Sequence, residues 1–295
     1  MKYHKLGTSK LEVSEISFGC MSLEVEKDPE SASSLLREAY QKGINFFDTA
    51  DLYNHGLNEE VVGKALKPFR DEVIISTKVG NVWNEDGSGW EWNPTKEYIL
   101  RGVNESLRRL QTEYIDLYML HGGTIDDPID EIIEAFERLK HQGKIRAYGI
   151  SSIRPNTIRE YVNRSDIDCV MMQYSLLDRR PEEESLNLLA ENNISVITRG
   201  TLGKGMIIDK PARDYLGYST EEVEELQTAT NKTGNPVSAA VQFVLDHPAV
   251  ASAVLGIRTK NQLQQITDAM NSPVSQDKLD KLRNFLSPKK YDQHR

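Results

Sequence analysis

Gly43-Ile-Asn-Phe-Phe-Asp-Thr-Ala-Asp-Leu-Tyr53 is the stretch on which the reading of this chain turns. A helix is expected to end at Gly43, where a left-handed C-cap costs least. A short apolar strand, Asn45–Phe47, follows and delivers Asp48 at its C-terminal end, with Tyr53 five residues on in a loop. An acid at a strand end followed by a phenol makes sense if both face one pocket. A turn-forming Asp and a surface tyrosine would read the same way, so the rest of the chain has to decide.

Outward from this joint, β-rich apolar segments alternate with amphipathic helical ones, the pattern of parallel βα units. Leu11–Val13 belongs to an N-terminal hairpin. The strands are then Ile16–Cys20, Asn45–Phe47, Val73–Lys78, Ile115–His121, Ile145–Ser151, Cys169–Gln173, Ser195–Thr198 and Ser252–Leu255. Helices are expected at Ala32–Gln41, Glu59–Leu66, Glu97–Leu110, Asp130–Gln142, Asn156–Val162, Glu183–Glu191, Val237–Leu245 and Asn261–Met270. Eight strands each followed by a helix predict a (β/α)8 TIM barrel in the α/β class, as one domain over residues 1–295. A doubly wound sheet is the competitor, but no Gly-x-Gly-x-x-Gly follows the first strand. An extra helix, Lys278–Phe285, follows the barrel, and the tail Pro288–Arg295 is expected to fray. Two insertions stand out: Gly80–Pro94, a loop holding all three tryptophans, and the polar, partly helical Asp209–Pro236.

Composition fits this reading. Apolar residues at 38% beside 27% charged describe a globular chain, and no apolar run is long enough to span a bilayer. The N-terminus lacks a signal-peptide core, so a cytoplasmic protein is expected. Cys20 and Cys169 alone imply neither a disulfide framework nor a thiolate metal site. A net charge of −9 argues against nucleic acid as partner, while leaving room for a phosphorylated ligand held by local Lys and Arg.

In a barrel, the C-terminal strand ends converge on one functional face. Asp48, Lys78 and His121 stand at such ends, with Tyr53 just beyond the first. Each has an ordinary alternative: a turn cap, a solvent-facing lysine, a backbone-bonded imidazole. Together they suit proton donation. A phenol is a poor acid at neutral pH, and a nearby ammonium lowers its pKa. A carboxylate would hold Lys78 charged, and an imidazole would orient a carbonyl. Tyr53 is then expected as the acid toward a carbonyl oxygen, and the hydride must come from a nicotinamide.

Phe46-Phe-Asp-Thr-Ala-Asp-Leu-Tyr53, Ile75-Ser-Thr-Lys78, Tyr114-Ile-Asp-Leu-Tyr-Met-Leu-His121, Gly143-Lys-Ile-Arg-Ala-Tyr-Gly-Ile-Ser-Ser152 and Met172-Gln-Tyr-Ser175 resemble the aldo-keto reductases. The resemblance runs in order from about Leu6 to about Met270, and is nearest to bacterial reductases related to potassium-channel β-subunits. It implies a catalytic tetrad of Asp48, Tyr53, Lys78 and His121 and NADPH as hydride donor to a small carbonyl substrate. Ser151, Ser152 and Gln173 match nicotinamide-binding positions, and Tyr174 matches the aromatic that stacks on the ring. Arg199, Gly200, Leu202, Gly203, Lys204 and Gly205 follow the seventh strand, where barrels often bind phosphate. Arg199 and Gly200 depart from the family's Pro-Leu-Gly-like sequence. Gly256, Arg258, Thr259, Gln262 and Gln265 resemble the adenosine-phosphate loop, with Arg258 suited to a 2′-phosphate. Gln265 and Ile266 replace the usual Glu-Asn that holds adenine. Gly122-Gly123 after His121 departs from relatives with a bulky residue there, which would open the pocket mouth.

Trp83, Trp90 and Trp92 form either an aromatic wall for the substrate or a lid packed on itself. His4, His55, His121, His141, His247 and His294 give no metal-ligand spacing, so no metal is expected and a metal hydrolase is a weak rival. A redox sensor that holds NADPH and turns over slowly is the alternative of a different class. Oligomeric state is left open by the sequence.

Overall fold

The computed structural model describes all 295 residues. Strands β1 (Tyr3–Lys5) and β2 (Glu12–Ser14) pair antiparallel as a hairpin. The chain then enters β3 (Ile16–Gly19), and α1 (Pro29–Gln41) follows. The sequence places the start of α1 three residues too late. Asp28 caps it, its carboxylate accepting from the Ser31 N–H at 2.9 Å, with Pro29 in the first turn. Such a cap is worth about 1 kcal/mol.

The succession continues with β4 (Phe46–Asp48), α2 (Leu57–Leu66) and β5 (Ile74–Val79). Next comes a small antiparallel hairpin, β6 (Asn81–Trp83) and β7 (Trp90–Trp92), where the sequence reading has a loop. The order then runs α3 (Lys96–Leu110), β8 (Ile115–Leu120), α4 (Ile129–His141), β9 (Ile145–Ser151), α5 (Pro155–Arg164), β10 (Cys169–Gln173), α6 (Ser185–Glu191) and β11 (Ser195–Arg199). After β11 the chain forms α7 (Thr220–Asn231) and α8 (Pro236–Leu245), then β12 (Val250–Gly256), α9 (Lys260–Met270) and α10 (Gln276–Arg283).

Strands β3, β4, β5, β8, β9, β10, β11 and β12 pair parallel in that order, and β12 closes back onto β3. The closed α/β barrel expected from the alternation is therefore present. Side chains alternate across each strand, so every second residue points into the barrel. Phe46, Ile74, Leu117, Met119, Ala147, Cys169, Met171, Ile197 and Ala251 pack there, and Leu6, Leu11 and Val13 of the hairpin segment join them to plug the N-terminal end. A larger apolar layer lies between strands and helices.

The tail departs from expectation: Pro288–Arg295 does not fray. Tyr291 is buried, with the Arg180 guanidinium 4.7 Å from its ring centre. The Asn156 N–H donates to the His294 carbonyl at 2.9 Å, Tyr218 Oη donates to the Ser287 carbonyl at 2.9 Å, and Arg295 pairs with Glu183. These contacts draw the last residues across the C-terminal face of the barrel.

Candidate active site

The inward residues continue the alternation to the strand ends. Phe46 leads to Asp48, Ile74 and Ser76 to Lys78, Leu117 and Met119 to His121, Cys169 and Met171 to Gln173, and Ile197 to Arg199. These ends surround one cavity of about 940 Å3, whose lining includes Tyr53, Lys78, His121, Ser151, Ser152, Gln173, Arg199, Gly200 and Lys204. A groove of similar volume, about 910 Å3, lies between α7 and α10 and contains none of them.

Lys78 is the buried centre. Its ammonium donates to both Asp48 oxygens at 2.8 Å and to the Thr49 carbonyl at 2.7 Å, while Ser76 Oγ donates to Asp48 Oδ1 at 2.6 Å. Burial works against this ammonium, but Asp48 and the Tyr53 phenol outweigh it and raise its pKa, so it stays charged. The ammonium lies 5.3 Å from the Tyr53 ring centre, and the Tyr53 and His121 rings meet edge to face at 6.0 Å. Burial pushes the Tyr53 phenol above its ordinary value; Lys78 draws it down and Asp48 pushes it up. Lys78 thus opposes the effect of burial on the phenol without reversing it. His121 is pushed down to about 3, first by burial and then by the charges of Lys78 and Arg199, so it is neutral. Its buried Nδ1 has no hydrogen-bond partner.

The remaining wall is polar and cationic. Gln173 Nε2 donates to Tyr215 Oη at 2.9 Å, and Arg199 donates to Gln173 Oε1 at 3.2 Å. Gly200, at φ 70°, brings the chain past Gln173, and Gly203, Lys204 and Gly205 form a turn with positive φ throughout. Leu202 packs against the outer apolar layer. Tyr174 is out of phase with Gln173 and points away from the cavity. Its hydroxyl donates to Glu182 at 2.9 Å and its ring packs on Phe243 at 5.5 Å. Tyr215 is the aromatic that lines this wall instead.

Gly256 ends β12, and Arg258, Thr259, Gln262 and Gln265 follow it at the start of α9; all five lie outside the cavity lining. Thr259 Oγ1 accepts from the Gln262 N–H at 3.2 Å as cap of α9, and the Arg258 N–H donates to Gln262 Oε1 at 2.9 Å. The Arg258 guanidinium enters no ion pair.

None of the three tryptophans lines the cavity. Trp83 stacks on His55 at 3.8 Å and donates to the Leu52 carbonyl at 3.1 Å. Trp92 donates to Asp127 at 2.9 Å, and its ring lies so close to Gly80 that a Cβ there would stand 2.6 Å away. Trp90 is 54% exposed. Sequence reasoning missed Met21, Leu52, Arg154, Arg180, Tyr215 and the tail residues Tyr291, Asp292, Gln293 and His294, all of which line the cavity. For Tyr215 and the tail, no local pattern announces the long-range contacts that bring them there.

The chain matches the Aldo/keto reductase family over residues 15–287. It belongs to the aldo-keto reductase family. It is 47% identical to the uncharacterized oxidoreductase YqkF of Bacillus subtilis (strain 168), each chain covered over its full length. It is 35% identical to the NADH-specific methylglyoxal reductase of Escherichia coli (strain K12), over 73% of this chain and 72% of that one. Among solved structures it is similar to the aldo-keto reductase AKR11C1 from Bacillus halodurans. The holo form has a TM-score of 0.95 at 47% identity, covering 100% of this chain and 99% of that one. The apo form has a TM-score of 0.87 at 45% identity, with the same coverage. This aldo-keto reductase is therefore an oxidoreductase of a family that uses nicotinamide cofactors. No helix is long and apolar enough to cross a membrane, and no group of His, Cys, Asp and Glu could hold a metal ion.

Proposed function

We propose that this aldo-keto reductase reduces a small aldehyde or ketone with NADPH, Tyr53 giving the proton. The observation that carries the reading is the meeting of a phenol, a charged lysine and a neutral imidazole in one cavity with a cationic wall. A nicotinamide bound there supplies the hydride. The unpartnered Nδ1 of His121 and the absence of ion pairs at Arg199 and Lys204 support the fit of a polar, anionic ligand. Ser151, Ser152 and Gln173 would hold the carboxamide, Gly200–Gly205 the pyrophosphate, and Arg258 the 2′-phosphate.

Within this reading, neutral His121 orients the carbonyl oxygen by hydrogen bonding without competing as an acid. The Tyr53 hydroxyl gives its proton to that oxygen as negative charge develops there. Lys78 stabilises the phenolate left behind, and Asp48 holds the ammonium in place. The likeness to a methylglyoxal reductase makes 1,2-dicarbonyls a natural part of the substrate panel.

The test is NADPH and NADH consumption with aldehydes, ketones and 1,2-dicarbonyls, with Tyr53→Phe as control. NADPH-dependent turnover that collapses in the variant, with cofactor binding retained, is the expected result. No NADPH binding would overturn the cofactor assignment. The raised phenol favours one second reading, a slow sensor, for which tight NADPH binding without turnover would be the sign.

A further inference from the structure

Asp51 lies between Asp48 and Tyr53 on the same turn, yet its side chain borders a different cavity. This second cavity is about 160 Å3 and lies against α3; its lining includes Asp51, His55, Asn81, Trp83, Tyr98 and Arg109. Buried Oδ1 of Asp51 has no hydrogen-bond partner, and neither does the buried Tyr118 hydroxyl nearby. The neighbouring carboxyl, Glu59, is fully buried and already satisfied, accepting from Thr77 Oγ1 and from Arg109 Nε at 2.6 Å each. One guanidinium therefore faces two carboxyls, and Glu59 has taken it. The cavity has room for several waters at about 30 Å3 each, enough to carry protons to the buried Oδ1 of Asp51.

The turn is also tied to the catalytic strand. The Asp51 N–H donates to the Lys78 carbonyl at 3.3 Å, and the Leu52 carbonyl is held by Trp83. After Tyr53, Asn54, His55 and Gly56 all have positive φ, at 48°, 53° and 86°. A run of this kind persists only when contacts around it hold it. Here the stack of Trp83 on His55 and the bond from Asn54 to Glu26 supply them.

We propose that Asp51 is a positioning residue for Tyr53, a half-buried carboxyl whose buried Oδ1 is reached by solvent protons through the rear cavity, and whose ionisation changes the field that Lys78 and Tyr53 feel. The proposal rests on the function assigned above to Tyr53. Burial first, then Glu59, push Asp51 up to about 8, while Arg109, the Leu52 amide and Lys78 hold it lower. The groups around it are Glu59 from α2, Tyr98, Arg101, Glu105 and Arg109 from α3, Lys78 from β5, Tyr118 from β8 and His55 from the turn. When Asp51 loses its proton, a second negative charge joins this cluster. It favours charged Lys78 but disfavours the Tyr53 phenolate, which weakens the phenol as an acid toward the carbonyl oxygen.

Two measurements test this. In the 13C NMR spectrum of tyrosine-labelled protein, the Tyr53 ζ-carbon, assigned by its loss in Tyr53→Phe, should step with a midpoint near pH 8. The step should vanish in Asp51→Asn. A wild-type Tyr53 signal without it overturns the proposal whether or not the protein turns over any carbonyl, which separates this failure from failure of the assigned function. In turnover, the wild-type kcat should fall about threefold or more between neutral pH and about pH 9, and Asp51→Asn should lose that limb. Identical profiles for the two proteins would also overturn it.

Discussion

Two buried carboxylates, one at each end of the barrel, end in different circumstances. Near the N-terminal end, Asp116 accepts from Arg146 at 2.9 Å, Arg70 at 2.7 Å and the Ile75 N–H at 3.0 Å. Both guanidiniums stack on Tyr114, at 3.9 and 3.8 Å from its ring centre. Arg70 spends its remaining donors on Thr112 and on the carbonyls of Val73 and Tyr114. This network is complete within the chain. At the C-terminal end, Asp48 and Lys78 satisfy each other, but the groups around them do not: His121 Nδ1 and Asp51 Oδ1 are buried without partners. A finished polar network stabilises the barrel. An unfinished one is where a ligand can complete the bonding, and where stability has been given up for chemistry.

Substitutions at the two ends should separate these roles. The largest effect is expected at the C-terminal end: Tyr53→Phe should lower kcat by about 10²–10⁴-fold while leaving the thermal midpoint nearly unmoved. Comparable losses of stability and activity would break the comparison. At the N-terminal end, Arg70→Ala should cost about 3–5 kcal/mol in denaturant unfolding, because it strands Asp116 with one exposed partner. Its kcat per folded molecule should match wild type.

The C-terminal side of this contrast was legible in the sequence, and the Asp116 network was not. Apolar runs ending in Asp48, Lys78 and His121 mark strands whose ends share a face, because burial on both sides of a parallel strand selects continuous apolar residues. The same periodicity sets Tyr174 against Gln173, since successive residues face opposite ways; resemblance to the family suggested a place against the nicotinamide ring, whereas Tyr174 packs on Phe243 outside the cavity lining. The Trp83 and Trp90 segments carried a hairpin signal in their shared alternation and in the glycines between them. The tail was not legible. It has no periodicity, and its order comes from Arg180, Tyr218, Glu183 and Asn156, which are remote from it in sequence.

A smaller effect concerns pH. His121 is held near 3 in the folded chain, below its ordinary 6.5, so the folded state refuses a proton that the unfolded state accepts. The associated stability is present above pH 6.5 and is lost as pH falls toward 3. Urea midpoints measured across this range should fall less steeply in His121→Gln, by up to one proton's worth of slope. An unchanged slope would place the imidazole in a more open, charged setting. The smallest effect is expected at the tip of the tryptophan hairpin. Trp90→Ser should change stability by no more than about 0.5 kcal/mol and leave KM alone. A raised KM would restore Trp90 to the substrate wall.

The seated tail also has a practical consequence for handling the protein. Its last residues line the cavity mouth, so a purification tag fused after Arg295 would project beside the entrance and compete with whatever binds there. Met1 packs near Gly43, at the plugged end of the barrel, and a tag placed before it would leave the entrance clear.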